Sequence, residues 1–113
     1  MPTTYKVLGQ AIPANGNFST LASLPLGATD MIVSSISVCN IANTNTYRIA
    51  VIPFGETISS KHYIVYNSVI NANDSCILTV GITLRYGDEI RVRGPDLGIS
   101  SIIAFSAFGA IIT

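Results

Sequence analysis

The sequence predicts an all-β chain: one single-domain antiparallel β-sandwich, jelly-roll-like, of about eight strands spanning residues 1–113. Three observations carry that expectation. Short β-branched and aromatic runs are broken by Gly, Pro, Asn and Asp at intervals of roughly a dozen residues, the rhythm of a sandwich or barrel. No capped segment places apolar residues at i, i+3, i+4 and i+7, so no amphipathic helix is expected. And 113 residues that are 49% hydrophobic suffice for one core without metal or disulfide staples.

Each strand is bounded by residues that end it. The first, 5–11, stops at Pro13-Ala-Asn-Gly, and the second, 17–24, at Pro25-Leu-Gly. The third, 31–40, alternates, with Ile32, Ile36 and Val38 expected on the core face and Ser35 and Ser37 on the wetter one. It ends before Asn43-Thr-Asn. The fourth, 46–53, runs into Pro53-Phe-Gly. The fifth, 62–69, reads HYIVY at its start, with Tyr63 and Tyr66 on opposite faces, and gives way to Asn71-Ala-Asn-Asp. The sixth, 75–80, precedes the Tyr86-Gly-Asp turn; the seventh, 88–93, precedes Gly94-Pro-Asp. Each breaker supplies residues suited to left-handed or fixed-φ positions. The last strand, 99–112, is apolar or small in both alternating sets: Ile103, Phe105, Ala107 and Ile111 against Ile102, Ala104, Phe108 and Ile112. Such a strand is central in the packing or covered by a neighbour.

Charge is scarce. Six basic residues balance six acidic ones, and charged residues make up 11% of the chain, where soluble domains carry about 25%. A surface this poor in charge repels its own copies weakly, so the chain reads as a subunit of an assembly. Nucleic acid is not an expected partner, because such binding draws on an excess of Lys and Arg. The N-terminus lacks the basic and apolar regions of a signal peptide, and the apolar 102–112 stretch is too short for a spanning helix. No membrane association is expected, and the chain is expected to be made in a cytoplasm. Cys39 and Cys76 then read as two buried free thiols, with a disulfide between facing strands as the alternative.

The chemistry-bearing residues do not form a catalytic pattern. Four of the twelve charges fall within YGDEIRVRG, residues 86–94. There Ile90 and Val92 alternate inward while Glu89, Arg91 and Arg93 alternate outward, a solvated edge or an interface strand. His62, the one histidine, lacks a nucleophile elbow and an orienting acid. Asp88, Glu89 and Asp96 lack an EF-hand loop, and one histidine cannot build a zinc cluster. No phosphate-cradling glycine loop occurs. Hence no catalytic residue, metal or cofactor is expected. Arg91 and Arg93, with Ala110, Ile111, Ile112 and Thr113, are the candidate subunit-interface residues. Tyr47, Tyr63, Tyr66 and Tyr86 could also form a sugar-stacking surface, though strand tyrosines more often sit at rims and interfaces.

The segments TTYKVLGQAIPANGNFSTLASLP, MIVSSISVCNIANTNTYRIAVIP, KHYIVYNSVINANDSCILTVGITLRYGDEIRV and FSAFGAIIT resemble small virion proteins of tailed bacteriophages, notably those of cyanobacterial and marine hosts. The resemblance lies in a pattern of strands and turns over nearly the whole chain. It implies a structural protein: a capsid decoration (cement) subunit, or a tail, neck or baseplate component. It also implies a homotrimer seated on other virion proteins such as the major capsid protein, assembled in the host bacterial cytoplasm. A lectin-like receptor-binding module at the tail is the alternative.

Overall fold

A computed structural model describes residues 2–96 and 102–113. Eight strands form in chain order: β1 (Thr3–Ala11), β2 (Ser19–Ser23), β3 (Asp30–Asn40), β4 (Asn45–Ile52), β5 (Tyr63–Ile70), β6 (Ser75–Leu84), β7 (Glu89–Arg93) and β8 (Ile103–Ile112). A three-residue 3₁₀ turn, Ser60–His62, precedes β5. The strands make two four-stranded sheets, sheet I in the order β1-β8-β3-β6 and sheet II in the order β2-β7-β4-β5, with every pairing antiparallel. First neighbours eighth, second seventh, third sixth and fourth fifth. That is the jelly-roll arrangement, a long antiparallel hairpin rolled so that its pairs alternate between two sheets.

The expected core is present. Met31, Val33, Ile36 and Val38 from β3, Ile103, Phe105 and Ala107 from β8, and Leu84 from β6 meet Leu21, Tyr47, Ile49, Ile90 and Val92 of sheet II. The Tyr47 and Phe105 rings cross edge-on with centroids 6.0 Å apart, joining the sheets near the middle. Both glycines buried against backbone have a packing reason: a Cβ on Gly9 would fall 1.8 Å from the Leu21 carbonyl oxygen, and one on Gly109 1.9 Å from that of Ile32.

Several expectations from alternation alone are corrected by β-bulges, each of which inserts a residue and reverses the inward-outward phase beyond it. Register shifts at Val33/Ser35 in β3 leave Met31 and Val33 buried before the shift and Ile36, Val38 and Asn40 buried after it. Ile32 therefore faces outward beside Ala110 and Thr83, not into the core. In β4–β5 two further shifts bring Tyr63 and Tyr66 to one side, their rings 4.9 Å apart, instead of opposite sides. β6 continues past Val80 through Gly81 to Leu84, because Ile82 and Leu84 still have core to cover. β7 lies between β2 and β4, so its charges sit on a central strand and not on an edge. Residues 99–101, expected to open the last strand, lie outside the described residues.

The topology gathers the connections at two ends. At one end the 24–29, 53–62 and 85–88 connections meet both termini: Arg85 Nε donates to Asp30 at 3.0 Å, Phe54 N–H donates to Asp88 at 2.9 Å, and Thr113 N–H donates to the Pro2 carbonyl. At the other end buried Asn40 ties the turns together. Its Nδ2 donates to the carbonyls of Asn43 and Ile70, and its Oδ1 accepts from Ala42 N–H. A buried amide with these partners carries little desolvation penalty.

Candidate assembly surfaces

Two outward sheet faces and one loop end hold most of the candidate residues. Tyr47, a candidate for a sugar-stacking surface, is instead buried in the core, and Ile111 packs against that core. Sheet I turns outward Tyr5 and Val7 from β1, Ala104, Ser106, Phe108 and Ala110 from β8, Ile32, Ser35, Ser37 and Cys39 from β3, and Ile77, Thr79, Gly81 and Thr83 from β6. None of these is charged. β6 and β8 contain no charged residue at all, and the Asp30–Arg85 pair stands at the corner of the face. Period-two alternation sends Lys6 to the other side of β1 from Tyr5 and Val7.

Sheet II turns outward a polar ladder. Arg91 pairs with Glu89 at 3.0 Å, and Glu89 also accepts the Thr20 hydroxyl at 2.8 Å. These two donors, Arg91 first, hold the Glu89 carboxyl below the usual glutamate range. Arg93 pairs with Asp96 at 2.6 Å and lies over the Phe18 ring at 5.8 Å. Arg48 has no carboxylate partner among the described residues. Its Nε donates to Asn67 Oδ1 at 2.7 Å while the guanidinium lies 4.5 Å from the Tyr66 ring centre and 5.9 Å from that of Tyr63. Asn67 takes a left-handed φ of 50°, at the place where the β5 bulge turns the strand. Asparagine is among the few non-glycine residues that tolerate this region.

The candidate interface residues are thus separated. Arg91 and Arg93 stand on the outer face of sheet II, each engaged with an acid of its own chain. Ala110, Ile111 and Ile112 are the end of central strand β8, with Thr113 following. Ala110 lies between Tyr5 and Ile32, Ile112 lies between Thr3 and Asp30, and Ile111 packs on the core. This end is flanked on both sides by its own chain and is a structural part of sheet I. The structure brings none of these residues to the two arginines.

At the loop end, Phe54 and Tyr86 make an exposed aromatic pair with ring centres 5.5 Å apart. Asp88 fixes it by accepting from both Phe54 N–H and Arg85 N–H, and Gly87, at φ 84°, leaves room where a Cβ would strike the Phe54 ring. Leu26, on the neighbouring turn, is fully exposed. Sequence reading missed this pair because the two aromatics are 32 positions apart; Gly87-Asp88 was its only local signal.

The remaining titratable groups form small local networks. His62 is buried in the 3₁₀ turn, not at a strand start. Its Nδ1 accepts Ser59 N–H at 2.9 Å and its Nε2 meets Glu56 at 3.1 Å. Both ring nitrogens are thus engaged, and Glu56 is an acid partner that the sequence reading did not expect. Lys61, at 2.9 Å, and then His62 hold the Glu56 carboxyl low. Cys39 faces outward and Cys76 faces the core from the adjacent strand, so the two thiols are free and on opposite sides of sheet I. Cys76 Sγ lies 3.6 Å from the Tyr47 hydroxyl; burial first, then this thiol, pushes Tyr47 up to about 12. No group of three or more His, Cys, Asp or Glu comes together among the described residues, and none of their helices is long and apolar enough to cross a membrane. Compared with protein-family models, curated proteins and solved structures, the chain has no match.

Proposed function

We propose that this chain is a structural, non-catalytic subunit of a bacteriophage particle, a decoration (cement) protein that stabilises the head by bridging neighbouring capsid subunits. The observation that carries the reading is the balance of its surface. Among the described residues fourteen large hydrophobic side chains are exposed, against twelve charged residues in the whole chain. Isolated exposed apolar residues are ordinary, but contiguous patches mark surfaces that other molecules cover. Tyr5, Val7, Ile32, Ile77 and Phe108 gather on one sheet face, and Leu26, Phe54 and Tyr86 at one loop end. Ile64, Tyr66 and Val69 stand on β5, and Ile12, Ile41 and Ile102 at the opposite end. The fixed Phe54–Tyr86 pair suits an anchor on a partner protein, since preorganised aromatics lose little freedom on binding. Many weak contacts, repeated over a lattice, then add through multivalency. The strand-and-turn resemblance to phage virion proteins supplies the particle.

Cryo-EM of particles from a phage encoding the chain, with mass spectrometry of the purified virions, tests the reading. Density for the jelly roll in symmetric copies over the joints of the head lattice is expected. Virions lacking the chain would overturn it, and copies confined to neck, tail or baseplate would correct its place. A second reading rests on the Tyr63–Tyr66–Arg48 platform, which could stack and bond a sugar as a receptor-binding module does. A glycan array separates the two: specific hits abolished by Tyr66→Ala would favour the module.

A further inference from the structure

We propose that the outer face of sheet I is the surface through which copies of this chain associate with one another. The inference deepens the assembly reading above by naming the partner of one surface, and it rests on that reading only for its biological setting.

Three features of the face point to a second copy. The first is charge. A surface with no charged side chain in its interior has nothing to repel its own image, and no opposite charge with which to prefer a different partner. It does carry apolar projections, with Tyr5 81% and Ile77 72% exposed, and hydroxyls on Ser35, Ser37 and Thr79 that can exchange hydrogen bonds with their counterparts. A hollow of about 330 Å³ opens beside Gln10 and Ser106 at the far end of β1 and β8 from Tyr5. Projection and hollow on one face are what self-complementarity requires.

The second feature is area. Four strands of nine to eleven residues, about 4.8 Å apart and rising about 3.3 Å per residue, make a face of roughly 600 Å² in projection. Covering it on two copies removes about 1,000 Å² or more, the lower bound for a specific interface.

The third is Gly81. Unlike Gly9 and Gly109, it has nothing within 4 Å of where a Cβ would stand, and its φ is outside the left-handed region. The residue stands at the β3–β6 register shift, where Val33 pairs with Ile82 and Ser35 with Thr79. It lies outward in the middle of β6, a ten-residue edge strand with no charge and no proline. A strand glycine marks a bulge or a place where another backbone can approach closely, and here the outward side of the bulge is open. Long uncharged edges are otherwise avoided, because they invite pairing with other chains.

The test needs no virion, so its outcome is independent of where the particle carries the chain. Analytical ultracentrifugation of the full chain from 1 to 200 μM should show a multimer of the 11.9 kDa subunit. Tyr5→Lys/Ile77→Lys, two highly exposed positions, should weaken association at least tenfold while leaving the circular dichroism spectrum unchanged. Tyr66→Lys, on the opposite face, should associate as the wild type does. Cys39 gives a reading that needs no variant, because it lies on the face while Cys76 points into the core. Its alkylation rate should fall at least tenfold as the wild-type protein is concentrated into its associating range. A wild-type chain that stays monomeric at 200 μM would overturn the proposal. So would association that persists in the Tyr5→Lys/Ile77→Lys protein, or a multimer whose Cys39 alkylates as fast as the monomer's.

Discussion

The two outward faces of this sandwich are built on the same inward core yet differ completely in chemistry. Sheet II closes its polar side chains upon themselves: Arg91 on Glu89, Arg93 on Asp96, Arg48 on Asn67 and two tyrosines. Sheet I offers alanines, serines, threonines and aliphatic side chains, with nothing charged between its corners. The first satisfies most of its charges within the chain, though Arg93 Nε is buried without a partner among the described residues and Ile64, Tyr66 and Val69 of β5 are exposed. The second buries nothing of its own and loses little by being covered. The contrast teaches that exposed groups differ in whether their own chain already supplies a partner.

The largest effect should come from breaking what both faces share. Phe105 is fully buried and meets Tyr47 across the sandwich, so Phe105→Ala is expected to cost about 3–5 kcal/mol. Urea unfolding measures it, and a loss below about 1 kcal/mol would mean that the sheets do not pack through this ring.

A pair of glycine substitutions sharpens the comparison. In Gly109→Val the added carbon meets the Ile32 carbonyl, backbone that cannot swing aside, and a cost of about 2 kcal/mol or more is expected. Gly81→Val meets nothing within its chain and gains strand preference, so monomer stability should change by less than about 1 kcal/mol. Association should nevertheless weaken. Equal destabilisation of the two folds would show that Gly81 is held by its own chain.

On the other face, Arg91→Ala with Arg93→Ala removes two partly exposed ion pairs. Such pairs are each worth about 0–1 kcal/mol, so chemical denaturation should register a small loss, and sedimentation should give an unchanged oligomer. Dissociation of the double variant would bring sheet II into the interface.

The smallest effect is the acid dependence. Glu89 and Glu56 titrate below the ordinary glutamate value in the folded chain, held by Arg91 and Lys61 respectively before any other donor. A depressed carboxyl pKa stabilises the fold fully above the unfolded value, about 4.3, and the contribution is lost as pH falls through the lower folded value. Melting temperatures between pH 5 and pH 3 should therefore fall more steeply for the wild type than for Glu89→Gln or Glu56→Gln. Parallel curves would show that neither pair is formed in solution.

Much of this architecture was legible in one dimension because turn chemistry is local. Pro13, Gly16, Gly27, Gly55 and Gly87 stand at the breaks, and four of those five are glycines at positive φ. Period-two patterns put Ile90 and Val92 inward and Glu89, Arg91 and Arg93 outward, as found. The same rule failed for Ile32 and for Tyr63 and Tyr66, because a bulge reverses phase without any required residue to announce it. Scarcity of charge is a property of composition and is legible in the sequence. Where the charges lie was decided by tertiary structure alone. Rolling the hairpin assigns strands 1, 8, 3 and 6 to one sheet and 2, 7, 4 and 5 to the other. That assignment sets the uncharged strands β6 and β8 side by side with β3 and β1, and moves Arg91 and Arg93 away from Ala110–Thr113. Local sequence fixes where a strand starts, ends and turns its side chains. Which strands become neighbours is set by long-range pairing, so the surface that results is written in no single stretch of the chain.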